Sequence, residues 1–103
     1  MSFEWTAFDG GKTIGMAGSE EGLIRLDEEL VNAARITLEQ GGFAPFSITL
    51  GIYGLMFHTI FCSNEPAARE MVRTAKLRIA RILSLTRNQE ELQQRLVEEL
   101  AQL

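Results

Sequence analysis

A chain of 103 residues, 46% hydrophobic and 23% charged, is large enough for one domain with its own core and too apolar to be disordered. A lone cysteine, Cys62, rules out an intramolecular disulfide framework and suits a reducing compartment. The net charge of −4 disfavours whole-surface attraction to nucleic acid.

The first residues, Met-Ser-Phe-Glu-Trp, carry neither the basic nor the apolar region of a signal peptide. The apolar runs are interrupted well short of a membrane span. A cytoplasmic location without membrane attachment is therefore expected, with residues 1–103 forming a single α+β domain.

Phe3–Phe8 is a short aromatic run followed by Asp9-Gly10-Gly11, a pair of glycines that supplies the positive φ of a tight turn. With Lys12–Met16 returning, residues 3–16 are expected to form a hairpin, Gly15 marking a bulge. Residues 18–33 admit two readings. Ser19 before Glu20 and Glu21 resembles a helix N-cap, and Leu23, Leu26, Leu30 and Ala33 have helical spacing. Gly22 and the nearness of the next strand favour the other reading, a short strand Leu23–Leu26 followed by an acidic loop at Asp27-Glu28-Glu29.

Ala34–Gln40 alternates, Ile36 and Leu38 opposing Arg35, Thr37 and Glu39. A turn at Gly41–Pro45 leads to Ser47–Ile52, which alternates again, and Leu55–Cys62 returns after Tyr53-Gly54. With Tyr53-Gly54 as a two-residue turn, Ile52 faces Leu55, Leu50 faces Phe57 and Thr49 faces His58. One face is then Ile36, Leu38, Ile48, Leu50, Ile52, Leu55 and Phe57, and a helix should pack on it. The other carries Arg35, Thr37, Glu39, Ser47, Thr49, Gly51, Met56, His58, Ile60 and Cys62.

Asn64 can cap a helix with Pro66 in its first turn. Ala68, Met71, Val72, Ala75, Ile79, Ile82 and Leu83 form its apolar side. A second helix can begin at Thr86 or Asn88, each with a capping-box partner, and has the stripe Leu92, Leu96, Leu100 and Leu103. One continuous helix over 66–103 is the alternative. Residues 1–62 carry three basic and eight acidic groups, whereas 66–87 carry six basic groups against Glu70 alone. That basic stripe lacks interleaved aromatics, so a solvated or dimer-facing role is expected rather than phosphate binding. The whole reads as an antiparallel meander of about five or six strands with a helix across one face and an amphipathic C-terminal helix.

The candidate site is the row Thr37, Thr49 and His58 with Arg35 and Glu39 beside it. A His near a Glu and hydroxyls can work as an acid or base because its free pKa, about 6.5, lies near working pH. A polar sheet face with cross-strand hydrogen bonds is the plainer reading of the same residues. Cys62 lies four residues past His58, about 13 Å along a strand, too far to share a zinc with it. No metal and no cofactor are expected, and the glycines match neither a P-loop nor a dinucleotide fingerprint.

The pattern Arg35-Ile-Thr-Leu-Glu39, Pro45-Phe-Ser-Ile-Thr-Leu-Gly-Ile-Tyr-Gly54 and His58-Thr59 resembles a group of small bacterial proteins to which no activity is attached. The likeness covers roughly residues 10–80. It implies the strand-plus-acidic-loop reading of 23–29, supplies no catalytic residues, and makes the long C-terminal helix a departure. The expected function is that of a non-enzymatic protein–protein interaction protein of the small bacterial adaptor or immunity kind. It is homodimeric through Leu92, Leu96, Leu100 and Leu103, which have no evident core to fill. The alternative is a ligand-binding or hydrolytic site around His58, Glu39 and Arg35.

Overall fold

The computed structural model describes residues 4–85 and 89–103, the side chains of Leu85, Gln89, Leu92 and Gln93 excepted. Five strands, β1 (Thr6–Ala7), β2 (Leu23–Leu30), β3 (Ala34–Gln40), β4 (Phe46–Ile52) and β5 (Met56–Cys62), form one antiparallel meander in the order β1-β2-β3-β4-β5. Two helices follow, α1 (Glu65–Leu85) and α2 (Gln89–Leu100). The α+β architecture is the expected one.

β3 and β4 owe their pairing to alternation. Ile36 stands opposite Leu50 and Leu38 opposite Ile48, so every aliphatic residue turns to the same side. Ile36, Leu38, Ile48 and Leu50 are fully buried beneath α1. The helix presents Ala68, Val72, Ala75, Ile79 and Ile82 at the three- and four-residue spacing of one helical face, all buried. Each fully buried Leu or Ile contributes about 1.5–3 kcal/mol from surface removed from water. Asn64 caps α1: its Oδ1 accepts the Ala67 N–H at 2.8 Å.

The C-terminal segment folds back. Arg78 of α1 and Glu99 of α2 form an ion pair at 3.8 Å. In one continuous helix, residues 21 positions apart would be about 30 Å apart, so two helices, not one, pack side by side. The capping boxes at Thr86 and Asn88 lie outside the described residues. Leu96 and Leu100 are buried in the same core as α1, and Leu103 packs against it. This corrects the sequence reading: the stripe meets the chain's own core, which leaves Leu96 and Leu100 no surface to offer a second copy. The side chain of Leu92 lies outside the described residues.

Three further departures concern the strands. The expected 3–16 hairpin does not form. Thr6 and Ala7 pair with Glu29 and Glu28 of β2, and the chain then leaves the sheet through a 3-10 turn, Phe8–Gly11. Asp9, Gly10 and Gly11 all have positive φ, which turns the chain out of extended geometry rather than back onto its own strand. β2 runs through Asp27-Glu28-Glu29 instead of ending before them. The acids alternate, Glu28 pairing with Ile36 on the α1 side and forming an ion pair with Lys76, while Asp27 and Glu29 turn the other way. A bulge at Arg25 lets Ile24 and Asp27 share that second face.

The third departure is a one-residue slip. Tyr53-Gly54-Leu55 is a three-residue loop, with Gly54 at φ 75° and the Leu55 N–H bonded to the Ile52 carbonyl at 2.9 Å. The closing pair becomes Ile52–Met56, Leu50 faces His58, and Thr49 faces Thr59. Every residue of β5 thereby changes sides.

Candidate functional site

The face of the sheet away from α1 is partly covered by residues 13–22, of which 15–17 run antiparallel to the start of β2. The Gly15 N–H donates to the Ile24 carbonyl at 2.8 Å and the Ile24 N–H to the Met16 carbonyl at 2.9 Å. Between this segment and β5 lies a groove of about 600 Å³. Thr37, Thr49 and Thr59 stand in one cross-strand row, with Arg35, Glu39 and Phe57 around them.

Of the five expected site residues, four line this groove: Arg35, Thr37, Glu39 and Thr49. His58 does not. The slip in register turns it to the α1 side, where its Nε2 is buried without a partner among the described residues. The space expected for it holds Thr59, whose hydroxyl donates to Glu20 at 3.4 Å. The row thus loses the one side chain suited to acid–base work near neutral pH.

Asp27, which the sequence suggests for a loop, lies within β2 and is the electrostatic centre of this face. Its carboxylate accepts Arg35 Nε at 2.8 Å and Arg35 Nη2 at 2.6 Å, a bidentate pair. Thr13 adds a bond at 2.8 Å and Thr37 one at 3.2 Å. Burial pushes the Asp27 carboxyl up, but the bonds from Arg35 and Thr13, the Arg35 charge and the Thr37 bond together hold it below the ordinary value of 3.8. The bond to Asp27 keeps Arg35 above its ordinary value. The guanidinium also lies 3.6 Å from the centre of the Phe8 ring, a cation–π contact. At the rim, the Tyr53 hydroxyl donates to Glu29 at 2.9 Å.

Glu39, fully buried, has a different duty. It accepts the backbone N–H groups of Glu20 and Gly22, each at 3.1 Å. Those donors belong to a turn with no ladder to join, and a buried N–H without an acceptor is costly. The fit is close at Gly18: a Cβ there would lie 2.2 Å from the Glu39 carboxyl carbon. Both buried carboxylates are therefore committed to holding the fold. Thr49 Oγ1 is buried without a partner among the described residues.

The outer part of the same face is apolar. The Phe57 ring lies over Gly51 and is 83% exposed; Phe61, four residues on, is 57% exposed. Both were missed, because the slipped register put Phe57 in the core. Cys62 is partly buried, and burial pushes its thiol up, away from the reactive thiolate. Among the described residues no group of three potential metal ligands is gathered, and no helix is long and apolar enough to cross a membrane.

Comparison with protein-family models, curated proteins and solved structures gave no match to this chain.

Proposed function

We propose that this protein acts without catalysis, by associating with polypeptide chains through the β5 side of its sheet. The observation that supports this is the pair of exposed phenylalanines, Phe57 and Phe61, on an outer strand without acidic residue, lysine, arginine or proline. Large exposed apolar side chains on one face of an outer strand are the kind of surface that proteins use for association. The groove supports binding over turnover for a separate reason. Asp27 and Glu39 are engaged by the protein itself, and His58 lies on the other side of the sheet. A small bacterial adaptor or immunity protein working in the cytoplasm fits this reading, as does the resemblance noted above. A second reading, a small polar ligand in the groove, is favoured by the buried, unpartnered Thr49 hydroxyl that lines it.

Immobilised protein presented with an extract of its source cells tests the association. Retention of one or more polypeptides, a second copy of the chain included, is expected. That retention should fall at least tenfold with the Phe57→Ser/Phe61→Ser double variant, whose unfolding curve should match that of the unaltered protein because both rings are exposed. Retention undiminished in the double variant, or no polypeptide retained, would overturn the proposal.

A further inference from the structure

The two edges of the sheet differ in a way that identifies an occupant for one of them. The β2 edge is shielded: β1 pairs with Glu28 and Glu29, residues 15–17 bond along Ile24, and the strand itself carries Arg25, Asp27, Glu28 and Glu29. Cover and charge are the devices by which proteins keep sheet edges from pairing with other chains. The β5 edge has none of them. Met56-Phe57-His58-Thr59-Ile60-Phe61-Cys62 contains no acidic residue, lysine, arginine, proline or glycine. No strand among the described residues pairs with its outer side.

Resting on the association reading above, we infer that the β5 edge is occupied by β5 of a second copy, paired antiparallel about a two-fold axis through Thr59. The register follows from the strand. Seven residues paired in full with an identical antiparallel strand place the middle one, Thr59, opposite itself. Met56 then meets Cys62 of the second copy and Phe57 meets Phe61. Phe57 and Phe61 share the open face, so this register closes two cross-strand aromatic pairs, one on each side of the axis. No other antiparallel register pairs the two phenylalanines with each other. A two-fold interface must be self-complementary, and this strand is.

Charge and area agree. The chain carries a net charge of −4, so two copies repel overall, and a β5 strand without acidic residue, lysine or arginine adds no like-charge pair of those residues to that repulsion. At 83% and 57% exposure, the four rings hold on the order of 500 Å² of removable aromatic surface. Two seven-residue strand edges add to this, toward the roughly 1,000 Å² at which specific association begins. A reversible dimer with Kd on the order of micromolar is expected.

The test combines mass and geometry. Sedimentation equilibrium should give twice the 11.5 kDa chain mass at tens of micromolar, and the Phe57→Ser/Phe61→Ser variant should shift the midpoint at least tenfold higher. In a Cys62→Ser background, Thr59→Cys should form a disulfide-linked dimer under mild oxidation. Directly opposed Cα atoms lie about 4.5–5.5 Å apart, within the span a disulfide bridges. Val31→Cys, exposed at the β2–β3 turn and outside the paired strand, should cross-link at least tenfold more slowly. A monomer at all concentrations, or a dimer in which Thr59→Cys links no faster than Val31→Cys, would overturn the inference. Should polypeptides other than this chain still be captured, and lost with the two phenylalanines, association stands and only the second copy is refuted.

Discussion

One face of this sheet is covered by a helix and the other in part by an irregular segment, and the two coverings call for different chemistry. On one side α1 supplies a surface whose backbone groups are already bonded within the helix, so aliphatic side chains are all the sheet needs: Ile36, Leu38, Ile48 and Leu50, each fully buried. On the other side an irregular segment, residues 13–22, arrives with unpaired backbone donors. There the sheet provides Glu39 for the N–H groups of Glu20 and Gly22, and the Asp27 carboxylate for the Thr13 side-chain hydroxyl. An irregular covering is held by acceptors placed beneath it. Charged residues at the centre of a sheet face can therefore be structural without any part in turnover.

The largest effect expected from breaking this contrast lies on the helix side. Leu50→Ala removes a fully buried side chain between β3, β5 and α1 and should cost about 3–4 kcal/mol, transfer and cavity costs together. Urea unfolding with an unchanged m-value would measure it cleanly. A loss under about 1 kcal/mol would show that this face is not the tightly packed one.

The polar face should respond less to deletion and differently to replacement. Asp27→Ala leaves Arg35 without its partner, but the Arg35 side chain is 34% exposed and can regain water. A loss of about 2–3 kcal/mol is expected, below the 3–5 typical when a fully buried pair is broken. Converting the pair to apolar residues, Asp27→Leu with Arg35→Met, should recover most of that loss, because the uncompensated charge goes with it. If the apolar pair is no better than Asp27→Ala alone, the ion pair itself stabilises the face and the contrast sharpens.

These two faces were unequally legible in the sequence. Alternation in β3 and β4, and the three- and four-residue spacing of α1, determine the helix side because burial repeats with the backbone period. The residues of β5 do not alternate cleanly, so nothing in them opposes the two-residue turn that the sequence suggests at Tyr53-Gly54, and that turn sends Phe57 to the core and His58 to the groove, the reverse of their places in the structure. Asp27 was missed because three acids in a row oppose strand formation by propensity, while the partner that overrides it, Arg35, lies across a hairpin. The signal was present: counted from the 31–33 turn, Glu29 falls opposite Arg35 and Asp27 opposite Thr37. The leucine stripe of α2 was recognised, but no pattern in a stripe says whether it meets its own chain or another, and in this chain it closes the core.

Acid offers the finest probe of the difference, and the smallest effect. The folded Asp27 carboxyl lies below its ordinary value of 3.8, through its bonds to Arg35, Thr13 and Thr37 and despite burial. A group whose folded pKa is depressed contributes stability above the unfolded pKa, and that contribution fades as pH falls through the folded one. The free-energy gap between the unaltered protein and Asp27→Asn should therefore be widest near pH 6–7 and begin to narrow below about pH 4. A Leu38→Ala gap, at a fully buried residue whose cross-strand neighbours are Leu26 and Ile48, has no titrating group behind it and should stay level over the same range. Parallel urea titrations at pH 7, 5, 4 and 3 would separate the two. An Asp27→Asn gap that stays constant, or widens, as pH falls would mean that the carboxylate is not held by Arg35, and that the polar face is buried by something other than the bonds traced to it.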